Sequence, residues 1–310
     1  MSDITQARKR IQPHIIRTPV FTSRTLGEMA RVRMHLKAEL FQKTGSFKAR
    51  GIFNKLLTMP KEELARGLIS ISAGNAAAAL AYGASVVGTK ATIVMPEGAV
   101  RSKVEATTSY GGEVILTDGD LMEHCTAIEA ERGLTFVHPF DDPLVMAGHG
   151  TIGLEIIEDI PDVEAIIVPV GGGGLIGGIA AAIKTAKPDV KVIGVEPATA
   201  NAMTLSLAEG QPVHIGHPQS VADGLAAPFA GVHTLEHVKE FVDDVVVIGD
   251  DDIVNGLKML LTRAKLAAEP AGAAALAALL CGAVKLPIDC NVVCIVSGGN
   301  VDLDVLKRVL

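Results

Sequence analysis

Four short segments carry residues whose types and spacing could do chemistry. The first is Thr44-Gly45-Ser46-Phe47-Lys48-Ala49-Arg50-Gly51, where one lysine stands among small and hydroxyl residues as a loop passes into a helix. A lysine at a helix start sits at the unfavourable end of the macrodipole, and one whose pKa is depressed can form a Schiff base; the plainer reading is a solvated surface charge. The second, Ser72-Ala73-Gly74-Asn75, follows a strand pattern and opens a helix. Its small residues would expose backbone N–H groups to an anion such as a carboxylate, or Ser72 or Asn75 would cap the first turn.

The third segment, Gly171-Gly172-Gly173-Gly174, lies between a strand and a helix from Leu175. Absent side chains there let backbone amides wrap a phosphate at the helix N-terminus. Glycine costs about 0.5–1 kcal/mol against alanine within regular structure, which argues against a decorative turn. The same residues satisfy the spacing Gly172-x-Gly174-x-x-Gly177, with Glu196 at the end of the next strand pattern, so a nicotinamide-dependent dehydrogenase is the rival reading. That rival leaves Lys48, the Ser72–Asn75 turn and Ser297 without a joint role. The fourth segment, Ser297-Gly298-Gly299-Asn300, follows the run Val292–Val296 and sets a hydroxyl at a strand's C-terminal end, where ligands gather in open α/β sheets.

The elements that must position these segments alternate along the chain. Leu68–Ile71, Ala91–Met95, Glu113–Leu116, Ala165–Val170, Lys191–Val195 and Val292–Val296 read as strands. Between them, residues 75–87, 100–110, 121–132, 143–157, 175–186, 251–263 and 270–283 read as helices. The pattern is α/β, with open sheets of parallel type covered on both faces. The stretch His138-Pro139-Phe140-Asp141-Asp142-Pro143 separates two blocks of the alternation. No repeat, heptad or low-complexity tail is evident, and no appended regulatory domain is expected.

Of 310 residues, 48% are hydrophobic and 20% charged, the composition of a packed globular chain long enough for two lobes and a cleft. A net charge of -7 without a block of Lys or Arg offers no footprint for nucleic acid or an anionic membrane. Residues 165–183 are uncharged for about a bilayer's thickness, but four glycines and Pro169 interrupt them. Arg8, Lys9 and Arg10 are followed by Pro13 and His14, with no signal-peptide core, so cytoplasmic residence is expected. Cys125, Cys281, Cys290 and Cys294 lack zinc-like spacing and read as packed or surface thiols. His35, His124, His214 and His217 are assigned no catalytic role.

Taken in order, the four segments resemble the fold-type II pyridoxal-phosphate (PLP) enzymes, specifically the serine/threonine dehydratase (threonine ammonia-lyase) and serine racemase family, over nearly the whole chain. Lys37-x-Glu39-x-x-Gln42-x-Thr44-Gly45-Ser46-Phe47-Lys48-x-Arg50-Gly51 is similar to the family's lysine motif, and Ala147-Gly148-His149-Gly150-Thr151-Ile152-Gly153-Leu154-Glu155 to its interdomain helix. Gly194-Val195-Glu196-Pro197 and Ala222-Asp223-Gly224 also match.

The resemblance implies a tryptophan synthase β-like fold with the cofactor in the cleft between two domains: a large one from residues 1–49 and 138–310, and a small substrate-side one from residues 50–137. It makes Lys48 the Schiff-base lysine and packs Phe47 beside the cofactor. Asn75 bonds the ring's 3'-oxygen, Gly171, Gly172, Gly173, Gly174 and Leu175 hold the phosphate, Gly224 lies against the ring, and Ser297 bonds the pyridine nitrogen. A neutral hydroxyl there makes the ring a weaker electron sink than a carboxylate would, which favours β-elimination. Ser72, Ala73, Gly74 and Asn75 take the substrate carboxylate, and Lys48 removes the Cα proton. The implied reaction turns a β-hydroxy amino acid, L-threonine or L-serine, into a 2-keto acid and ammonia, and the implied assembly is a homodimer.

The chain departs from the family pattern at Leu40 and Ala76, which make the pocket roomier or more apolar, and at Ala73, where a racemase places a serine. Ala202 stands where a carboxylate of the family's divalent-cation site would be, beside Glu196 and the Ala200 carbonyl, so no metal is assigned. A racemase or β-replacement synthase on the same fold is the alternative enzyme, and a non-catalytic PLP-binding protein the alternative of another class.

Overall fold

The computed structural model describes residues 1–309. Ten strands form two sheets: β1 (Val20–Thr22), β2 (Arg33–Ala38), β3 (Leu68–Ile71), β4 (Ala91–Pro96), β5 (Glu113–Thr117), β6 (Thr135–Phe136), β7 (Ala165–Pro169), β8 (Lys191–Pro197), β9 (Asp244–Ile248) and β10 (Asn291–Val296). A six-stranded sheet has the order β1-β2-β10-β7-β8-β9, and a four-stranded sheet β5-β4-β3-β6. All pairings are parallel except β1 with β2, as β-α-β crossovers require. The α/β class and the parallel-type open sheets read from the sequence are what the chain forms.

The central strands of the larger sheet, β7 and β10, are almost wholly apolar because both faces are covered. Along β10, Val292, Cys294 and Val296 join one apolar cluster with the helix Pro270–Leu280, while Val293 and Ile295 join another with the helices Pro143–Asp159 and Gly174–Ala186. Ala165 and Ile167 of β7 point to the first side, Ile166 and Val168 to the second, the period-two alternation of a pleated strand. The smaller sheet packs Leu68, Ile93 and Met95 against the helices Asn75–Val87 and Lys48–Leu56, and Ile69 and Val94 against Cys125 and Ile128. All four cysteines are free, three of them buried and Cys281 exposed.

Several helix ends differ from the sequence reading, by one or two residues for the helices Arg101–Ser109 and Pro143–Asp159 and by more at two others. The expected helix 251–263 runs from Asp250 to Met259 and widens into a π-turn, Leu260–Ala264, that stops at Lys265 with φ 62°. The expected helix 270–283 ends at Leu280, with Gly282 at φ 81° just beyond. The helix expected from Leu175 starts one residue earlier, at Gly174. Strands β1, β2, β6 and β9 were not legible. Lys37 in β2 is fully buried, because its Nζ donates to Glu155 at 2.6 Å and to the Thr18 carbonyl at 2.8 Å.

That buried charge belongs to a network that anchors the lysine segment. Arg50, in the first turn of its helix, donates to Glu39 at 2.8 and 2.9 Å and to Glu155 at 2.7 and 2.9 Å. All three side chains are nearly or completely buried, where charges persist only when paired. Burial works against the Arg50 cation, but Glu39 and Glu155 outweigh it and raise its pKa. Burial pushes Glu155 up, but Arg50 and Lys37 hold it below its ordinary value. The spacing Lys37-x-Glu39 with Arg50 thus ties the end of β2, the lysine helix and the helix Pro143–Asp159 together.

Candidate active site

The C-terminal ends of the parallel strands open onto a cavity of about 380 Å³. All thirteen residues singled out from the sequence line it: Phe47 and Lys48; Ser72, Ala73, Gly74 and Asn75; Gly171, Gly172, Gly173, Gly174 and Leu175; Gly224; and Ser297. They arrive from five separate stretches of chain and from both sheets.

Lys48 opens its helix, so no preceding turn shields it. The backbone N–H of Phe47 donates to the Ser297 carbonyl at 3.1 Å, and Ser46 bridges Gly298, which fastens the lysine turn to the end of β10. Lys48 Nζ donates to the Pro139 carbonyl at 2.9 Å. Burial lowers its pKa from 10.5 to about 8, which leaves an appreciable fraction of uncharged amine near neutral pH. The turn before it carries Thr44 at φ 59°, a costly conformation for a β-branched residue. The Thr44 carbonyl accepts from Asn300 Nδ2 at 2.7 Å.

The helix Asn75–Val87 starts without a side-chain cap. Ser72 Oγ instead accepts from the Gly74 N–H at 3.1 Å, so neither Ser72 nor Asn75 caps the first turn, and the helix N-terminus faces the cavity. An alanine, Ala73, stands on the same wall and offers no transferable proton.

The glycine loop leads from β7 into the helix Gly174–Ala186. Gly173 has φ 91°, which disfavours any side chain. A Cβ on Gly172 would lie 2.5 Å from the Phe140 ring. Thr234 Oγ1 donates to the Gly172 carbonyl at 2.7 Å, and Asp141 in turn accepts from the Thr234 and Val232 N–H groups at 3.1 and 3.0 Å. The result is a rigid cradle of backbone at a helix N-terminus, of a kind suited to a phosphate.

Several further residues line this cavity. His138 Nδ1 accepts from the Asp141 and Phe140 N–H groups at 2.8 and 3.3 Å, which leaves Nε2 as the protonated ring nitrogen. Burial, opposed by Asp141 and aided by Lys48, lowers its pKa, so the ring is neutral. Phe140 and Phe229 meet it edge-on, centroids 4.6 and 6.5 Å away, and meet each other in a tilted contact at 5.6 Å. Glu269, Lys103 and Asp223 complete the wall, the last two as an ion pair. Only Ala222-Asp223-Gly224 offered a local signal; the rest depend on contacts made across the fold. Just beneath the site, His149 stacks edge-on against Phe47 at 4.8 Å with both ring nitrogens buried and without a partner. Burial, with Lys48 nearby, lowers its pKa to about 3. The Gly174 backbone, which favours the proton, approaches without a hydrogen bond of good geometry.

Glu196, the acid that a dinucleotide site would turn toward a ribose, is fully buried. Its carboxylate accepts from the N–H groups of Met203 and Thr204, both at 2.8 Å, and from Thr204 Oγ1 at 2.6 Å. Both oxygens are engaged at a helix start, which removes the dehydrogenase reading's second feature. Among the described residues, no group of His, Cys, Asp and Glu is arranged to hold a metal ion, and no helix is long and apolar enough to cross a membrane.

Comparison with known proteins agrees with this geometry. The family model described as pyridoxal-phosphate dependent enzyme matches residues 11–298. An L-threonine ammonia-lyase of Geobacter sulfurreducens is 43% identical over 310 residues, covering 99% of this chain and 77% of the relative. Among solved structures, maize serine racemase superposes with a TM-score of 0.94 at 38% identity, over 99% of this chain and 95% of that one. A threonine deaminase from T.th. gives 0.92 at 39% identity, over 97% and 98%.

Proposed function

The chain belongs to the pyridoxal-phosphate dependent enzyme family, and on that premise we propose that it is a PLP-dependent lyase that deaminates L-threonine and related β-hydroxy amino acids to a 2-keto acid and ammonia. The observation that carries the reading is the meeting, in one cavity, of a lysine near neutrality with a glycine cradle at a helix N-terminus. Relatives named L-threonine ammonia-lyase and L-threonine dehydratase, 42–43% identical across the chain, supply the substrate class.

The residues present fit the cofactor. Bound PLP supplies an aldehyde that bonds the substrate nitrogen and a ring that takes up charge from Cα. Gly171 to Gly174 and Leu175 would hold its phosphate through backbone N–H groups at the helix start. Phe47 and Gly224 would flank its ring, Asn75 would bond the ring oxygen, and Ser297, a neutral hydroxyl, would partner the ring nitrogen. Ser72 to Asn75 present uncapped N–H groups and a helix dipole to the substrate carboxylate. Lys48 Nζ, uncharged, would take the Cα proton; the β-hydroxyl would leave as water, and hydrolysis of the resulting enamine would release ammonia. One water is lost in the elimination and one consumed in the hydrolysis, so threonine yields 2-oxobutanoate and ammonia with no external oxidant.

A racemase needs a second proton donor and acceptor on the other side of Cα, and Ala73 has none, which supports elimination over racemisation. We read residues 1–49 with 138–310 as the large domain and 50–137 as the small one, a division in keeping with the four-stranded sheet's strands at 68–136. Cytoplasmic residence, expected from the sequence, and a homodimer, implied by the family resemblance, complete the reading. Purified, PLP-loaded protein should release 2-keto acid from L-threonine or L-serine, and Lys48→Ala should abolish that release. Undiminished turnover by the variant contradicts the assignment.

A further inference from the structure

A second cavity of about 670 Å³ adjoins the first, and Lys103, Asp223 and Glu269 line both. Lys103 and Asp223 pair with one another. Glu269 differs: it is only 3% exposed, precedes the helix Pro270–Leu280 and does not cap it. Its carboxyl reaches across the cavity wall instead, where Oε1 accepts from Asn75 Nδ2 at 2.6 Å. A Cβ on Gly298 would collide with Oε1, so the carboxyl occupies the space left beside the end of β10.

Asn75 is held from its other side as well, because Asn300 Nδ2 donates to Asn75 Oδ1 at 2.8 Å. The two contacts fix which way the amide points. With Glu269 ionised, turning it over would set Asn75 Oδ1 against the carboxylate and Nδ2 against the Asn300 amide nitrogen, losing both bonds; with Glu269 protonated, the Asn300 contact still fixes the amide, since Asn300 Nδ2 is itself held on the Thr44 carbonyl. Asn75 Nδ2 therefore keeps one hydrogen on Glu269 and has its second free for an acceptor in the cavity.

We propose that Glu269 is a positioning residue that locks Asn75 as a hydrogen-bond donor toward the cofactor and, by gaining or losing a proton, sets the charge beside it. This rests on the reading that PLP binds against Lys48 and Asn75. Burial pushes the Glu269 pKa up to about 7; Lys103 and the Asn75 bond oppose the rise and Asp223 adds to it. The charged groups facing it are Lys103, from the helix Arg101–Ser109, and Asp223, from the turn Asp223–Leu225. Its own helix carries no other charge, Asp251 and Asp302 line the second cavity, and Lys48 and His138 line the first. A carboxyl titrating there changes the charge beside Asn75 within the physiological range.

The test uses holoenzyme of the wild type, Glu269→Gln and Glu269→Ala, with two readouts: the cofactor dissociation constant and the pH dependence of the cofactor's visible absorption over the range from about pH 5.5 to about pH 9, which brackets the Glu269 transition. Glutamine keeps an acceptor for Asn75 but cannot ionise, so affinity should stay within about threefold of wild type while the spectral step near pH 7 disappears. Alanine should weaken cofactor binding about tenfold, as expected for one lost hydrogen bond to a buried amide. A step that persists in Glu269→Gln, a wild type without one, or a Glu269→Ala protein that binds PLP as tightly as wild type would overturn the proposal. If the wild type neither binds PLP nor releases keto acid, the functional reading itself fails; if it does both and the variants behave as wild type, only the role of Glu269 falls.

Discussion

Replacing Lys48 with methionine should abolish turnover and yet make the cofactor-free protein more stable at neutral pH. Burial holds the Lys48 pKa at about 8 against an ordinary 10.5, so below pH 8 the folded state carries a cation that the unfolded state solvates better. At about 1.4 kcal/mol for each pH unit, the cost has an upper bound of about 3 kcal/mol. Lys48 retains contact with the cavity, which screens part of that cost, and methionine forfeits the bond to the Pro139 carbonyl, worth about 1 kcal/mol. A net gain of about 1–2 kcal/mol at about pH 7 remains. The sign follows from the depressed pKa: the unfolded chain binds the extra proton between pH 8 and 10.5, so wild-type stability recovers as pH rises through that window. The gain should largely vanish between about pH 7 and about pH 9.5, because the cost of the cation falls by more than half while the forfeited bond does not change. Urea unfolding of the two cofactor-free proteins at both pH values measures it. A variant no more stable than wild type at neutral pH, or a difference that ignores pH, would refute the reasoning.

Three further outcomes follow from the same geometry. Gly172→Ala drives a methyl group into the Phe140 ring, so the loop must shift; PLP affinity should fall at least about tenfold with the circular dichroism spectrum unchanged, measured by cofactor titration. Arg50→Met leaves Glu39 without a cationic partner in the core and Glu155 with Lys37 alone, and should cost about 3–5 kcal/mol, read as a lowered urea midpoint. His149→Met removes two ring nitrogens that have no partner and should leave stability within about 1 kcal/mol of wild type or raise it; a loss well beyond that would mean the imidazole makes bonds not seen in this fold.

The site was more legible in the sequence than the scaffold that holds it. Lys48 with its small neighbours, the four glycines and Ser297 are local arrangements, each intelligible from residue type and from a place at the end of a strand or the start of a helix. Glu269 was not legible, because its role depends on Asn75, 194 positions away in sequence. Nor were His138 and Phe140, whose segment reads as a Pro- and Asp-rich boundary until the glycine loop is seen packed on it. Strand β2 hid behind Arg33, His35 and Lys37: a lysine in a strand reads as solvent-facing, and only Glu155, 118 positions on, makes its burial tolerable. Strands β1 and β6, of three and two residues, are too short for periodicity to register. Glu196 misled in the opposite sense, since its place at a strand end suggested a ligand and its carboxylate binds a helix start.

The central claim is that PLP is bonded to Lys48. Borohydride reduction of the PLP-loaded protein, followed by proteolysis and mass-spectrometric mapping, tests it most directly. The account predicts a single phosphopyridoxyl group, on Nζ of Lys48 and removed by Lys48→Ala; the label on another lysine, or no stable label at all, would contradict it.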